Sequence, residues 1–450
     1  MFVLKPFQAT AVDWLAARDR ALFCDDQGLG KTVVASVAAD RVKADRVLVL
    51  APTVVANNWR RELEAWSPWR RVQVVKTGRD VIDRTADAVV VPHALLLAGG
   101  VQAQLVDRAH RWDLLVVDEA HGFRAPTAKR TRVLYGRWGQ QLEDGGAVAG
   151  NAARVWLLTG TPAPNHPGEL WAPLWGLWRA EVPYSHTAFI HRFVVTVPTD
   201  YGFRVVGTRN ERELRDLLAG RMLRRTKAEV LPELAPVTWE SVALSPAKVD
   251  PELRKLEAKL PAPVLAALRA GDFGGTALSA LRESESVGTW RRLCGEAKAR
   301  AAAEVVADEL KTGALDAVVL FAHHRSVLDV LEAELAGFGI VRVDGSTPAT
   351  RRQKAVDAFQ SPNGPRVFLA NLLAAGVGIT LTRASEVLFV ELDWVPGNNA
   401  QAVDRVHRIG QTRPVRARFL SLVDSIDEMV VDALQRKVAY VSRVVPRSCQ

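Results

Sequence analysis

The chain has 450 residues, a formal net charge of +9 and a composition that is 48% hydrophobic and 24% charged. This length is too great for a single core and predicts two or three domains, and the composition excludes a disordered or low-complexity chain. The positive charge favours a polyanionic partner, with nucleic acid ahead of an anionic membrane. The three cysteines lie far apart, which excludes a disulfide framework or a zinc site and favours a reducing compartment. No segment suits a membrane span, so we expect a soluble cytoplasmic protein.

Short apolar runs rich in β-branched residues recur in two sets along the chain. The first set is 47–50, 88–91, 114–117 and 155–158, and the second is 317–321, 341–343, 367–370, 387–390 and 419–422. Continuous apolar runs that alternate with helical patterns predict parallel strands covered on both faces. We therefore predict an α/β protein with two parallel-sheet lobes in tandem. The expected divisions are lobe 1 with a helical extension at 1–235, a helical linker at 236–300 and lobe 2 at 301–450.

Between the two sets, at about 163–300, helical patterns replace the strand pattern. Trp171, Trp175 and Trp178 lie four and three residues apart and so share one face of a helix. For this face we favour core packing over a ligand-binding role.

A phosphate-binding loop is predicted at 25–32, which reads Asp-Asp-Gln-Gly-Leu-Gly-Lys-Thr. Its glycines let backbone N–H groups approach a phosphate, and the following helix presents its positive end. Lys31 would hold the β- and γ-phosphates, and Thr32 would ligate magnesium. The other loop residues expected to bind nucleotide are Asp26, Gly28, Leu29 and Gly30. The alternative is a glycine turn that only caps a helix. It is disfavoured because an acidic motif follows downstream.

That acidic motif is Asp118-Glu119-Ala120-His121, directly after an apolar run. Ligands bind at the carboxyl ends of strands in open α/β sheets, and an ordinary acidic surface turn seldom follows four apolar residues. We expect Asp118 to hold magnesium through water and Glu119 to polarise the attacking water. The next predicted strand also ends in polar residues, Thr159 and Thr161, whose hydroxyls could sense the γ-phosphate and report it to lobe 2.

Arg405 and Arg408 are three residues apart, so a helix there would place them on one face. Alone, this pattern is equally typical of a surface salt-bridge face. With the phosphate loop and the acidic motif upstream, both are predicted to be arginine fingers, a role worth roughly 10³ to 10⁵ in rate. They would act across a cleft between the two predicted lobes, so hydrolysis would require the lobes to close.

Taken together, these motifs resemble those of the Swi/Snf-type DNA translocases of helicase superfamily two, from about residue 3 to 440. The segments that carry the resemblance are 118–121, 158–162, 223–227, 230–234, 344–347, 375–382, 393–396 and 401–411. The Arg-Arg-Thr-Lys and His-Arg-Ile-Gly-Gln sequences distinguish the chain from DEAD-box and DEAH-box RNA helicases. The Asp-Gly-Ser-Thr sequence is most similar to the fork-remodelling, strand-annealing branch.

The resemblance implies two RecA-like lobes, with ATP and Mg²⁺ as cofactors. It adds Gly376, Gly378 and Gln401 to the nucleotide-binding residues. It also strengthens the case for Gln8, whose amide could read an adenine edge. The coupling residues that it implies are His121, Thr159, Thr161 and Trp394. The family usually has Asp-Glu-Met where this chain has Asp-Asp-Gln at 25–27, a departure that we do not expect to abolish catalysis. No room remains for chromatin-reading modules, so the chain resembles a bare motor of bacterial or phage type.

Duplex DNA is expected to lie across both lobes, held through hydroxyls, amides and turn backbones that suit phosphate contact rather than base reading. The expected contacts are Thr53, Asn58, Trp59, His93, His324, Gly345, Ser346 and Thr380. Two alternatives stay open here, since Thr53 could simply cap a helix and Trp59 could be a core residue.

The sequence therefore predicts a DNA-dependent ATPase, acting as a monomer, that translocates on duplex DNA, including forked or branched forms. It would remodel DNA structures or displace bound proteins. A strand-separating helicase is the first alternative. An ATP-gated DNA-binding scaffold is the second, and it is disfavoured because a scaffold needs no complete catalytic set.

Overall fold

The computed structural model describes residues 3–137, 146–164, 166–182, 184–199, 202–246, 249–259, 265, 285–372 and 379–444. The chain divides into two compact units, of which unit 1 ends at Leu231 and unit 2 begins at Pro232. Residues 232–235, which were expected to close lobe 1, therefore belong to unit 2. Within the described ranges, no helix combines the length and the apolar character needed to cross a membrane.

Unit 1 is built on a sheet of seven parallel strands in the order β3-β4-β2-β5-β6-β1-β9, with a separate antiparallel hairpin, β7-β8. Its strands are β1 (Arg20–Phe23), β2 (Val47–Ala51), β3 (Val72–Val74), β4 (Ala88–Pro92), β5 (Trp112–Val117), β6 (Ala152–Leu158), β7 (Val194–Thr199), β8 (Gly202–Thr208) and β9 (Met222–Leu223). The four predicted runs of the first set are all strands. Every residue of β2 and β4 is buried, which explains their continuous apolar sequences.

The helices of unit 1 are interspersed with its strands along the chain. They are α1 (Pro6–Ala16), α2 (Lys31–Arg41), α3 (Ala56–Trp66), α4 (Gly99–Leu105), α5 (Lys129–Tyr135), α6 (Trp171–Leu177), α7 (His186–Phe193), α8 (Glu211–Leu218) and α9 (Lys227–Val230). The tryptophans of α6 pack in the core as predicted, since Trp171 and Trp175 are 3% and 7% exposed and stack with ring centroids 5.3 Å apart.

Unit 2 contains a second parallel sheet, of six strands in the order β10-β15-β14-β11-β13-β12. The strands are β10 (Val237–Leu244), β11 (Val318–Ala322), β12 (Ile340–Val343), β13 (Val367–Asn371), β14 (Glu386–Phe389) and β15 (Val415–Leu422). The helices are α10 (Pro251–Lys259), α11 (Glu285–Lys311), α12 (Arg325–Leu335), α13 (Ala349–Gln360), α14 (Pro396–Val403) and α15 (Ile426–Val444). The prediction of two parallel-sheet lobes with helices is confirmed.

Strand β10 was not predicted, although it pairs with β15 along its whole length. It lies at the edge of the sheet, and most of its residues are half-buried or exposed. An edge strand tolerates polar residues such as Thr238, Glu240 and Ser241, so it lacks the continuous apolar run that identified the central strands.

Candidate nucleotide site and arginine motif

The loop between β1 and α2 has the backbone geometry of a phosphate cradle. Gly28 and Gly30 both have φ of +83°, in the left-handed region that glycine adopts without strain. A Cβ atom on Gly30 would lie 2.5 Å from Gln8 Nε2, so the Gln8 amide would have to move to admit a side chain here. Gly30 precedes α2 and supplies no side-chain cap, which leaves the first N–H groups of the helix directed toward the loop.

Lys31 and Gln8 brace this loop from inside unit 1. The Lys31 ammonium donates to the carbonyl oxygens of Asp25 and Asp26, at 2.8 and 3.2 Å. The Gln8 amide donates to the Leu29 carbonyl at 3.0 Å and accepts a hydrogen bond from the Lys5 N–H at 2.9 Å. Both ends of the Gln8 amide therefore hold backbone groups, and its reading of adenine stays a prediction.

Asp118 and Glu119 emerge from the carboxyl end of β5. One carboxylate oxygen of Asp118, Oδ2, accepts a hydrogen bond from the Trp59 indole at 2.8 Å, and the other, Oδ1, accepts from the Glu119 N–H at 2.9 Å. Burial, followed by the nearby charge of Glu119, raises the pKa of Asp118 to about 6, and the Trp59 N–H opposes this rise. Glu119 has φ of +47°, a costly conformation for a residue with a side chain.

Three of the predicted coupling residues meet beside Glu119. The Nδ1 atom of His121 lies 3.2 Å from Glu119 Oε2 and 3.0 Å from the Thr159 hydroxyl. Thr161 donates its N–H to that same hydroxyl at 3.1 Å, and its own hydroxyl lies 3.5 Å from His121 Nδ1. A chain of polar contacts thus runs from the acidic motif at the end of β5 to the hydroxyls at the end of β6.

Gly160 allows the end of β6 to reach the phosphate loop. A Cβ atom at this position would lie 2.5 Å from Gln27 Cγ, 3.2 Å from the Gln27 backbone nitrogen and 3.4 Å from Lys31 Nζ. The phosphate loop and the Thr159–Thr161 segment are therefore in direct contact, and only glycine fits between them.

The Arg-Arg-Thr-Lys segment, whose role sequence reasoning did not assign, clamps the acidic start of the phosphate loop. Arg225 donates from Nε and Nη2 to the two carboxylate oxygens of Asp25, at 3.1 and 2.5 Å, and from Nη1 to the Phe7 carbonyl at 2.8 Å. The backbone N–H of Lys227 donates to Asp26 Oδ2 at 3.0 Å. The family resemblance marked this segment, but a partner 200 residues away in the chain leaves no local signal.

Trp59 is a core residue, so the expectation that it contacts DNA is wrong. It is 1% exposed and lies on the buried face of α3 together with Ala56 and Leu63. Asn58, the residue before it, is half-buried, and Thr53 is exposed. Thr53 does not cap α3, because the N-cap of that helix is Val55. The exposed turn before α3 therefore retains the features expected of a phosphate contact.

His93 follows β4 and is half-buried, with its ring edge-on to Phe123 at a centroid distance of 4.9 Å. Burial lowers the pKa of His93 to about 4, although a hydrogen bond from the ring to the Leu50 backbone opposes the shift. The ring is therefore neutral near pH 7. A contact between His93 and a DNA phosphate would rely on hydrogen bonding rather than on charge.

Arg405 and Arg408 do not share a helix, which corrects the sequence-based expectation. Helix α14, which contains Gln401, ends at Val403, and both arginines lie in the turns that follow. The Arg405 carbonyl accepts a hydrogen bond from the Leu381 N–H at 2.8 Å and so cannot extend the helix. Arg408 donates to the Ile379 carbonyl at 3.2 Å.

The arginine motif is anchored to its neighbours inside unit 2. Gln411 is 5% exposed, and its amide donates to the carbonyls of Thr382 and Ala384 at 3.1 and 2.7 Å. The His407 Nε2–H donates to the Ala235 carbonyl at 2.8 Å. These bonds hold the motif against residues 379–384. Gly376 and Gly378, which precede residues 379–384 in the chain, lie outside the described residues.

The other predicted residues of unit 2 differ in accessibility. Gly345 and Ser346 are exposed in a turn after β12, where the Ser346 N–H and hydroxyl both donate to Asp344. Thr380 is half-buried. His324 Nδ1 lies 2.6 Å from the buried carboxylate of Glu391. Trp394 is 5% exposed, with the Arg291 guanidinium 4.7 Å from its ring centre.

The residues of unit 1 fit a magnesium nucleotide. Among the described residues, no group of three or more His, Cys, Asp or Glu side chains could hold a metal alone. Mg²⁺ is commonly bound by one or two protein groups together with water and substrate phosphates. Asp118 and Thr32 are of the type required for a metal that arrives with its nucleotide. Lys31 and the glycine loop are the residues that would hold the phosphates.

Comparison with known proteins identifies the class. Residues 7–282 match the family described as the SNF2-related domain, and residues 301–410 match the helicase conserved C-terminal domain. Because the first match covers more than half of the sequence, the chain belongs to the SNF2-related family. The predicted membership of the Swi/Snf-type family is confirmed.

Individual relatives are considerably longer than this chain. One is the SWI/SNF-related matrix-associated actin-dependent regulator of chromatin subfamily A-like protein 1 of Xenopus tropicalis, 32% identical over 97% of this chain and 44% of that protein. Another is the DNA annealing helicase and endonuclease ZRANB3 of Bos taurus, 30% identical over 96% of this chain and 40% of that protein. The chain thus spans less than half the length of these relatives. A solved Sulfolobus solfataricus SWI2/SNF2 ATPase core in complex with dsDNA has 21% identity and a TM-score of 0.45, over 99% of this chain and 95% of that chain.

Proposed function

We propose that the protein is a DNA-dependent ATPase that uses ATP and Mg²⁺ to move along double-stranded DNA. The observation that carries the proposal is the contact at Gly160, where a Cβ atom would fall within 3.4 Å of both Gln27 and Lys31. This contact joins the phosphate loop to the network of Glu119, His121 and Thr159. A phosphate cradle, an acidic pair and a γ-phosphate sensor at one edge of one sheet are the parts that phosphoryl transfer requires.

Each residue then has a defined task. Lys31 binds the β- and γ-phosphates, while Thr32 and Asp118 hold Mg²⁺, which neutralises charge on the phosphates when bound. Glu119 orients and polarises the attacking water. The contact between His121 and Glu119, 3.2 Å, fixes that carboxylate. Thr159 and the neighbouring Thr161 extend the same network to the phosphate loop and so can report the state of the γ-phosphate.

Arg405 and Arg408 are proposed as the arginine fingers, which stabilise charge on the transferred phosphoryl group. The assignment is supported by the way both side chains are held in place. Arg405 is 8% exposed, and Arg408 is hydrogen-bonded to the Ile379 carbonyl at 3.2 Å. Gln401, together with Gly376 and Gly378, is proposed to bind the nucleotide. Trp394 is proposed to couple DNA binding to turnover.

Duplex DNA is proposed as the substrate because of family membership and the net charge of +9. The relative named as a DNA annealing helicase supports forked or branched duplexes as preferred forms. Contacts would come from Thr53, Asn58, Gly345, Ser346 and Thr380, whose hydroxyls, amide and backbone suit phosphates. His93 and His324 stay in the proposal as hydrogen-bonding groups. A monomer in the bacterial cytoplasm or in a phage-infected cell is proposed as the working form.

The test is ATP turnover against a panel of linear duplex, forked duplex, single-stranded DNA and RNA. We expect strong stimulation by duplex and forked DNA and little by RNA. Stimulation by RNA without a response to DNA would contradict the proposal. Displacement of a labelled strand from a forked substrate would instead favour a strand-separating helicase, and turnover unchanged by any nucleic acid would favour the ATP-gated scaffold.

A further inference from the structure

Two adjacent residues at the start of α3 face different environments. Asn58 is half-buried and is proposed to contact DNA, whereas Trp59 is 1% exposed. The Trp59 indole donates to Asp118 Oδ2 at 2.8 Å, across 59 residues of sequence. A residue proposed to touch DNA is therefore followed directly by one that holds the carboxylate proposed to bind the metal.

Strand pairing and a hydrogen bond connect the backbone segments around this pair. Strands β2 and β5 are neighbours, with Leu50 paired to Val117, and the Asp118 N–H donates to the Leu50 carbonyl at 2.8 Å. Strand β2 leads through a short turn, Thr53–Val55, into α3. A displacement of the first turn of α3 would therefore be transmitted to Asp118 through the indole and the adjacent strand.

We propose that Trp59 is a positioning residue that fixes the Asp118 carboxylate for Mg²⁺ and links it to DNA bound at the start of α3. The indole N–H only donates, so it favours the ionised carboxylate and one rotamer of it. Each carboxylate oxygen keeps a free lone pair for a metal or its water, since Oδ1 and Oδ2 accept one hydrogen bond each from Glu119 and Trp59. The part concerning DNA rests on the proposed function; the part concerning Asp118 does not.

The test uses Trp59→Phe in the full chain, which removes the donor and keeps an aromatic ring. The matched control is Trp156→Phe, because Trp156 is 0% exposed and donates its indole N–H to the Arg18 carbonyl at 3.0 Å, away from Asp118. The readout is equilibrium binding of a fluorescent ADP analogue, titrated with Mg²⁺ in the presence and absence of duplex DNA.

Without DNA, Trp59→Phe should raise the half-saturating Mg²⁺ concentration roughly tenfold, the usual effect of losing a group that orients a metal ligand. With DNA, the wild-type protein and Trp156→Phe should shift their Mg²⁺ requirement, and Trp59→Phe should not, because linkage between two sites needs a connecting contact. A second variant carries benzothienylalanine at position 59, which keeps the indole shape but replaces the N–H with sulfur. It supports or overturns the inference even if Trp59→Phe does not fold.

Mg²⁺ titrations of the position-59 variants that match those of the wild type and Trp156→Phe would overturn the inference. Loss of nucleotide binding in Trp156→Phe to the same extent would also overturn it, because any buried indole would then have the same effect. If ATP turnover by the wild-type protein did not change when DNA was added, the proposed function and the DNA part of the inference would be refuted. The DNA-free titration would still decide the role of Trp59 at Asp118.

Discussion

Arg225 and Asp25 are 200 residues apart in the chain, yet they form a bidentate ion pair inside unit 1. Asp25 is 1% exposed, and burial raises its pKa against the opposing hydrogen bonds and charge of Arg225. The pair fixes the first residue of the phosphate loop to the segment that ends unit 1.

Arg225→Ala should therefore lower the free energy of unfolding by about 3–5 kcal/mol, because it leaves a buried carboxylate without its partner. Urea unfolding measures this loss. The control is Arg154→Ala, which breaks an ion pair with Asp19 whose side chains are 31% and 72% exposed and should cost less than about 1 kcal/mol. Removing both Arg225 and Asp25 should recover part of the loss. Equal effects of the two single arginine variants would contradict a stabilising role for the ion pair between Arg225 and Asp25.

Gly160→Ala should lower both stability and turnover. The new methyl group would meet Gln27 Cγ at 2.5 Å, and overpacking of this kind costs about 1–3 kcal/mol. ATP turnover and thermal unfolding are the measurements. Gly99→Ala is the control, since a Cβ atom there has no heavy atom within 4 Å. Wild-type turnover in Gly160→Ala would mean that the two loops need not touch.

Glu119→Gln should strongly lower turnover and retain nucleotide binding. The change removes the charge that is proposed to polarise water but keeps the size of the side chain, and loss of a general base costs roughly 10²- to 10⁴-fold. Steady-state ATPase assays and equilibrium binding of an ADP analogue separate the two effects. If binding were lost as well, Glu119 would hold the nucleotide or the local fold, given its φ of +47°.

Arg408→Ala should retain DNA binding and lose hydrolysis by roughly 10³-fold or more, the effect expected of an arginine finger. Single-turnover hydrolysis and a DNA mobility assay measure the two properties. The control is Arg300→Ala, a unit 2 arginine whose side chain is 75% exposed. Hydrolysis at the wild-type rate in Arg408→Ala would refute the finger assignment.

His93 should make the protein less stable in mild acid. Its pKa is about 4 in the folded chain and 6.5 when unperturbed, so between these values the unfolded chain binds a proton that the folded chain does not. Stability therefore falls as the pH is lowered through this window, by about 1–3 kcal/mol in total. His93→Gln should flatten urea-unfolding midpoints between about pH 4 and 6.5. His191→Gln, at an exposed position of α7, serves as the control, and equal flattening in both variants would exclude His93 as the cause.

Features encoded by neighbouring residues were predictable from the sequence. Strands such as β2 and β4 are buried on both faces and so are apolar throughout. The phosphate loop and the acidic motif are local patterns whose chemistry follows from residue type and spacing. Their common position at one edge of the sheet follows from the parallel fold.

Features that depend on distant partners were not predictable. The bonds of Trp59 to Asp118 and of Arg225 to Asp25 join segments 59 and 200 residues apart, and no local pattern specifies them. The prediction that Arg405 and Arg408 share a helix was wrong for a similar reason. Its residues are compatible with helix, but the Arg405 carbonyl is taken by the Leu381 N–H, at 2.8 Å, and tertiary bonding overrides local propensity.

The bond from His407 to the Ala235 carbonyl, 2.8 Å long, gives the passage between the units a structural role. On one side of that passage, the Lys227 N–H bonds to Asp26 of the phosphate loop at 3.0 Å. On the other side, Ala235 bonds to the arginine motif. The stretch from Lys227 to Ala235 is thus hydrogen-bonded at both ends, and each of these bonds lies within a single unit. An insertion between Leu231 and Pro232, where unit 1 passes into unit 2, should therefore leave both of these hydrogen bonds in place.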